Sequence, residues 1–301
     1  MPSSGSLKFL GTAGARFAVS TQLRHSGGLL WTWGDTSLWV DPGPGALVRA
    51  LASRPKVDPS RVDALLLSHP HLDHVGDATA VIEAMTRGGF SRRGTLLAPR
   101  SALEGEPVVF RYAQAFVERR ELLEPGGRYA LGPGLTVVTP LLHDHGVETY
   151  GYRLECDLST APGEEPPPGA PTRFTAAHVV DTYWMESLAG AYAGVDLLLV
   201  NATRQHGRDR RYLHLGLDDA ELLVDAIRPR LAVLTHFGMQ LPPAKAEAAA
   251  LDLSRRTGVA VVAARDGWRL ELPVLVAPAG ARRPGPGGAR APAERPADGP
   301  G

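Results

Sequence analysis

The stretch that most constrains this chain of 301 residues is Ser68-His69-Pro70-His71-Leu72-Asp73-His74-Val75-Gly76-Asp77, which sets three histidines and a carboxylate within six positions. It follows directly on Ala64-Leu65-Leu66-Leu67, an apolar run short and bounded enough to be a buried strand. A loop leaving the end of such a strand can turn several imidazoles toward one point. Imidazole nitrogen and carboxylate oxygen suit zinc, manganese or iron, and a set without thiolate leaves room for a bound water. His69 and His71, two apart, fit one metal, and the adjacent Asp73 and His74 fit a second. Each ion takes roughly three or four protein ligands, so more must come from later in the chain.

Apolar residues make up 44% of the sequence, enough for a sizeable core in one large domain. Lys plus Arg and Asp plus Glu both total 32, so no global charge pulls the chain toward nucleic acid or an anionic membrane. Cys156 is the only cysteine, which excludes an internal disulfide and fits a reducing compartment. Met1 to Ser6 lacks the pattern of a secretory signal, and runs such as Val195 to Val200 are far below the roughly 20 residues that span a bilayer. A cytoplasmic protein without a membrane partner is expected, and a homodimer is compatible with the sequence.

Along the chain, Leu7 to Leu10 reads as a strand ending in Gly11-Thr12-Ala13-Gly14-Ala15, a tight turn with no Gly-Lys-Ser/Thr phosphate cradle. Leu29 to Trp33 and Ser37 to Val40 signal a hairpin. Ala46 to Ala52 and Gly76 to Thr86 have helical patterns, and a helix starting just after His74 would aim its first N–H groups at the site. Thr95 to Ala98 reads as a strand and Val108 to Leu122 as helical, with Arg119-Arg120-Glu121 on a solvated face. Leu135 to Val138 is a strand leading to His143 and His145; alternation puts both on one side, and either could be a ligand. Residues 158–171 read as an exposed Pro/Gly-rich insertion, after which the β pattern resumes at Thr172. Val195 to Thr203 and Arg230 to Phe237 are strands, Leu217 to Ile227 and Pro243 to Thr257 helices, and Val259 to Ala263 with Trp268 to Leu272 a last strand pair. A domain over 1–277 and a disordered Gly/Pro/Ala/Arg-rich tail over 278–301 follow from composition. The loop Arg204 to Tyr212 is the most basic stretch of the folded part, and Arg204, Arg208, Arg210 and Arg211 are candidate phosphate-binding residues.

His69-Pro70-His71-Leu72-Asp73-His74 resembles the HxHxDH signature of the metallo-β-lactamase superfamily, and the resemblance runs from about Leu7 to Leu272. It is nearest the ribonuclease Z and cyclic phosphodiesterase branch and implies an α/β fold, a single αββα sandwich. Gly151-Tyr152-Arg153-Leu154 matches the "GYR" arrangement of that branch and selects His145 as the ligand, leaving His143 behind it or at the surface. Asp41-Pro42-Gly43 matches "LIDPG", whose aspartate fixes an imidazole ligand; Asp181-Thr182 matches "GDT", whose aspartate bridges both metals, although Val180 replaces the glycine. His178 is an imidazole outside the pattern and is expected to be structural. His236 ends a segment similar to "LVLTHF" and is the implied last ligand. His214 stands where the branch has a proton-donating histidine, and Asn201 stands where ribonuclease Z carries an acid, which implies weaker support for that role.

The resemblance therefore implies two divalent cations, zinc first, with manganese or iron as alternatives. One is held by His69, His71 and His145, the other by Asp73, His74 and His236, and Asp181 bridges them. Such a pair activates a shared hydroxide, with Asp73 orienting it and His214 protonating the leaving group. The expected activity is metal-dependent hydrolysis of a small, anionic phosphodiester, cyclic ones included, ahead of tRNA, for which no long Gly/Pro-rich arm is present. The competing expectations are hydrolysis of a lactone, thioester or β-lactam by the same metals, an iron redox protein, which the intact His71 of the signature disfavours, and a non-catalytic metal-containing binding protein.

Overall fold

The computed structural model describes residues 5–160 and 172–273. The inserted stretch 161–171 and the tail 278–301 lie outside the described residues. The chain lays down β1 (Gly5–Phe9), β2 (Leu29–Trp33), β3 (Thr36–Val40), β4 (Ala64–Leu66), β5 (Thr95–Ala98) and β6 (Arg119–Leu122), then β7 (Gly127–Gly132), β8 (Leu135–Thr139), β9 (Tyr152–Asp157), β10 (Arg173–Val179), β11 (Leu197–Asn201), β12 (Leu231–Thr235) and β13 (Val261–Ala263), and closes with β14 (Arg269–Leu272). Among the described residues these form two seven-stranded sheets, β14-β1-β2-β3-β4-β5-β6 and β13-β12-β11-β10-β9-β8-β7. Strands β3 to β6 and β10 to β13 run parallel.

The apolar runs are continuous because both faces of these strands are covered. In β4, Ala64 and Leu66 face the space between the sheets, while Leu65 faces the helices outside. In β11, Leu197 and Leu199 point inward and Leu198 and Val200 outward. Strand alternation thus splits each run between two cores. Truncating one of these buried leucines to alanine costs about 2–5 kcal/mol. Trp31 Nε1 donates across the sandwich to Tyr152 Oη at 2.9 Å, so the sheets are also joined by a buried hydrogen bond.

The helices are α1 (Ala15–Thr21), α2 (Ala46–Ala52), α3 (Leu72–Val75), α4 (Ala78–Thr86), α5 (Arg100–Leu103), α6 (Arg111–Gln114), α7 (Ser187–Ala191), α8 (Leu217–Ile227) and α9 (Pro243–Thr257). Residues of α2, α4, α5 and α6 cover the outer face of the first sheet, and residues of α7, α8 and α9 that of the second. The result is the expected αββα sandwich, with helices, sheet, sheet and helices in four layers.

Three sequence expectations are corrected. Val108 to Leu122 holds only the short α6 and then β6, an exposed edge strand beside β5. Its charges, which suggested a solvated helix face, are the charges that protect a sheet edge. The final two strands do not pair with each other: β13 joins β12 in one sheet, and β14 crosses to pair with β1 in the other. The helix expected directly after His74 is instead the single turn α3, followed by α4 from Ala78. Asp77, between them, turns its carboxylate to the Gly45 and Leu47 amides at the start of α2.

Candidate metal centre

The functional candidates sit where the parallel strands end. Asp41 follows β3, Ser68 and His69 follow β4, Asp181 follows β10, Asn201 ends β11 and His236 follows β12. Asp41 and His236 hold left-handed backbone conformations, at φ 51° and 58°, which L-residues adopt at a cost and which cluster at functional sites. Gly14 packs against His236 so closely that any side chain there would strike its ring and carbonyl, which explains the glycine of the turn after β1.

Asp41 organises two imidazoles at once. Ser68 donates to it from its backbone N–H at 2.7 Å and from its hydroxyl at 2.6 Å. With its only hydrogen directed there, the Ser68 oxygen must accept from His69 Nδ1 at 2.9 Å. His74 Nδ1 donates to the same Asp41 oxygen at 2.9 Å. Both rings therefore carry their proton on Nδ1 and present Nε2 as a lone pair, as metal-ligating histidines do. His69 Nε2 is buried without a hydrogen-bonding partner.

The other rings converge in the same way. His145 Nδ1 donates to the Leu213 carbonyl at 2.8 Å, which leaves its Nε2 facing His71 Nδ1 at 3.1 Å. His236 Nδ1 lies 3.1 Å from Thr203 Oγ1 and 3.1 Å from Asp181 Oδ1, which leaves its Nε2 facing His74 Nε2 at 3.0 Å. Asp181 Oδ2 lies 3.4 Å from His74 Nε2, 3.7 Å from His145 Nε2 and 4.0 Å from His69 Nε2. Candidate ligand atoms of His69, His71 and His145 lie within 4.8 Å of one another, as do those of Asp73, His74, Asp181 and His236, and those of His145, Asp181 and His214. Lone pairs aimed at one another repel unless a cation lies between them. Bonds of about 2.0–2.1 Å put two tetrahedral nitrogen ligands roughly 3.3 Å apart, close to the separations seen here.

The electrostatics favour a cation. Burial drives His69 well below its usual pKa and holds His145 down at about 4, so both rings stay neutral, the form in which an imidazole can ligate a metal. Burial opposes charge on His74 as well, yet the carboxylates of Asp73 and Asp41 raise its pKa well above normal. Burial likewise opposes ionisation of Asp181, but the His236 and His214 imidazoles hold it well below the carboxylate range.

Behind the cluster, Asn201 Nδ2 donates to Asp181 Oδ1 at 2.9 Å, and His178 Nε2 donates to Asn201 Oδ1 at 2.7 Å. Asn201 therefore supports Asp181, where the sequence suggested that it would stand behind His214. His143 stays out of the cluster: its Nδ1 donates to the Asp181 backbone carbonyl at 3.2 Å and its Nε2 accepts from Tyr192 Oη at 2.8 Å. Burial keeps both His143 and His178 at about 4, hence neutral. The contributions of Ser68 and Thr203 went unread in the sequence. Thr203 was accessible through alternation, being two residues beyond Asn201 on the same side of the strand end.

A cleft of about 580 Å³ opens onto the cluster, with His71, Asp73, His145, Asp181 and His214 on its floor. His214 Nδ1 donates to the Tyr212 carbonyl, and its Nε2 lies 3.3 Å from Asp181 Oδ2 with 18% of the side chain exposed. Arg204, Arg210 and Arg211 line the cleft. Arg208 does not: its Nε is tied to the buried Asp219 carboxylate at 2.9 Å, a partner eleven residues away that the loop's composition did not reveal.

The sequence profile of the family described as "Beta-lactamase superfamily domain" matches residues 36–237, about two thirds of the chain. The chain belongs to the beta-lactamase superfamily. It is thus a metal-dependent hydrolase by family, with a His/Asp cluster able to bind metal at the ends of its strands. Within the superfamily it is similar to an uncharacterized protein of Methanocaldococcus jannaschii, 32% identical over 88% of this chain and 94% of that protein. A ribonuclease Z of Methanopyrus kandleri is 28% identical over 88% of this chain and 97% of its own length. Among solved structures, the metallo-beta-lactamase fold protein YhfI of Bacillus subtilis superposes with a TM-score of 0.67 at 19% identity, over 89% of this chain and 99% of that one. Among the described residues, no helix is long and apolar enough to cross a membrane.

Proposed function

We propose that the protein is a two-metal phosphodiesterase acting on a small anionic diester. The observation that carries this reading is the position of His214. It borders His145 and Asp181, but those two already complete the other ligand groups, so His214 faces the cleft with Nε2, 3.3 Å from Asp181 Oδ2, placed to move a proton. His69, His71 and His145 would hold one divalent cation and Asp73, His74 and His236 the other, with Asp181 between them. Zinc suits this donor set best, since four imidazole–carboxylate ligands fit its tetrahedral preference. When bound, such a pair supplies a water of lowered pKa and positive charge beside the substrate.

The protein's own groups do the rest. Asp73 orients the attacking water, Arg204, Arg210 and Arg211 offset the charge of the diester, and His214 donates its Nε2 proton to the leaving oxygen. Water adds across one P–O bond, giving a monoester and an alcohol. The similarity to a ribonuclease Z over almost the whole length supports a phosphodiester. A cleft of about 580 Å³ matches a small ligand better than a folded RNA. The single, buried Cys156 accords with a reducing cytoplasm.

Hydrolysis of bis(p-nitrophenyl) phosphate by protein reconstituted with zinc or manganese tests this. His214→Ala should keep both metals and lose about 10²–10⁴-fold in kcat, whereas Asp181→Ala should lose metal as well as activity. Two bound metals with no turnover of the diester, or with turnover of esters and lactones only, would overturn the phosphodiesterase reading.

A further inference from the structure

The walls of the cleft carry features that a scissile phosphate alone does not need. Phe17, in the first turn of α1, is 79% exposed, Met239 is 49% exposed and Tyr212 is 46% exposed, and all three line the cleft. Large apolar side chains left open beside a polar site mark a place where a ligand covers them. Guanidinium groups lie over the Tyr212 ring: the Arg204 carbon stacks 3.8 Å from its centroid and that of Arg211 lies at 5.5 Å. Such cation–π contacts fix the plane of the ring, and Tyr212 still keeps 46% of its surface exposed.

The charges in the walls divide into two kinds. Arg210 and Arg211 are ion-paired with Asp144 and Asp209, whereas no carboxylate among the described residues lies within ion-pairing distance of Arg16 or Arg204, the latter only sensing Asp209 from farther off. Arg204 Nε is buried without any hydrogen-bonding partner. Aromatic faces, a soft thioether and unpaired guanidinium groups beside an anion-binding floor suit a ligand that is planar at one end and anionic at the other.

We propose that Phe17 and Tyr212 form a subsite for the base of a nucleotidyl phosphodiester, with Arg204 fixing Tyr212 and Arg16 receiving charge at the mouth. This rests on the proposed phosphodiesterase reading and names its substrate class. The base lies against the aromatic faces while the phosphate reaches the floor at Asp181 and His214.

Calorimetry with zinc-loaded protein compares thymidine 5′-monophosphate with methyl phosphate, which shares the anionic end and lacks the base. Wild-type protein should bind the nucleotide about ten- to hundredfold more tightly, the range that one base–aromatic stack gives. That margin should shrink at least about fivefold in Phe17→Ala and in Tyr212→Ala, and persist in Tyr212→Phe. Equal affinities in the wild type, or a margin that survives both alanine variants, would overturn the subsite. Turnover of bis(p-nitrophenyl) phosphate on the same samples separates the two claims. Hydrolysis with equal affinities removes the base subsite and leaves the phosphodiesterase. No hydrolysis by protein holding two zinc ions, with the nucleotide margin intact, removes the phosphodiesterase and leaves the subsite.

Discussion

Replacing Asp41 by asparagine exchanges one carboxylate oxygen for an NH2 group without straining the chain, because asparagine also tolerates the left-handed conformation at φ 51°. The amide oxygen must face the Ser68 backbone N–H, since the flipped amide would set two donors against each other. The NH2 then faces Ser68 Oγ and His74 Nδ1, where a carboxylate oxygen accepted at 2.6 and 2.9 Å. His74 must become an acceptor at Nδ1 and move its proton to Nε2, the atom 3.0 Å from His236 Nε2. Ser68 Oγ now accepts from the amide and donates to His69 Nδ1, which moves that proton to Nε2 as well. One substitution thus removes a ligand lone pair from each group. Losing such a partner lowers metal affinity by about 10–100-fold, or about 1.4–2.7 kcal/mol per ion. Competition for zinc against a fluorescent chelator should show both sites weakened by that amount in Asp41→Asn. Affinities within about twofold of wild type would refute the tautomer reasoning, and weakening at one site only would refute the link through Ser68.

Tyr152→Phe leaves the buried Trp31 N–H without its acceptor and should cost about 1–3 kcal/mol in urea denaturation while turnover is retained; an unchanged midpoint would contradict the inter-sheet bond. In chelator-treated protein, stability should fall as pH drops from 6.5 toward 4, because burial keeps His143 and His178 at about 4 in the fold and only the unfolded chain takes up their protons there. His74 and His214, whose pKa values are raised despite burial by neighbouring carboxylates, are protonated in both states below 6.5 and add no slope. Urea midpoints that stay level across that window would contradict this. His178→Ala and Asn201→Ala interrupt one hydrogen-bonded chain to Asp181, so each should weaken zinc binding and the double variant should be no weaker than Asn201→Ala. Additive losses would show that the two residues act separately.

The core strands were legible because a strand buried on both faces must be continuously apolar, as Leu65-Leu66-Leu67 and Leu197-Leu198-Leu199 are. The residues named as ligands converge because few roles other than metal binding bring so many imidazoles together at strand ends. What the sequence hid is set by long-range assembly. Strand β6 carries the charges of an edge, and β14 crosses between sheets because β1 offers it a free edge, a property of the assembled sandwich. Arg208 belongs to Asp219 and Asn201 to Asp181 and His178 through contacts that no local pattern encodes. Ser68 was in plain view beside His69, but its role depends on Asp41, twenty-seven residues away.

The proposed activity needs two cations acting together on a phosphodiester. Its most direct test adds zinc stepwise to metal-free protein and follows hydrolysis of bis(p-nitrophenyl) phosphate at each equivalent. Activity should rise to a plateau only when the second equivalent is bound. Full activity at one equivalent, or none with two zinc ions bound, would contradict it.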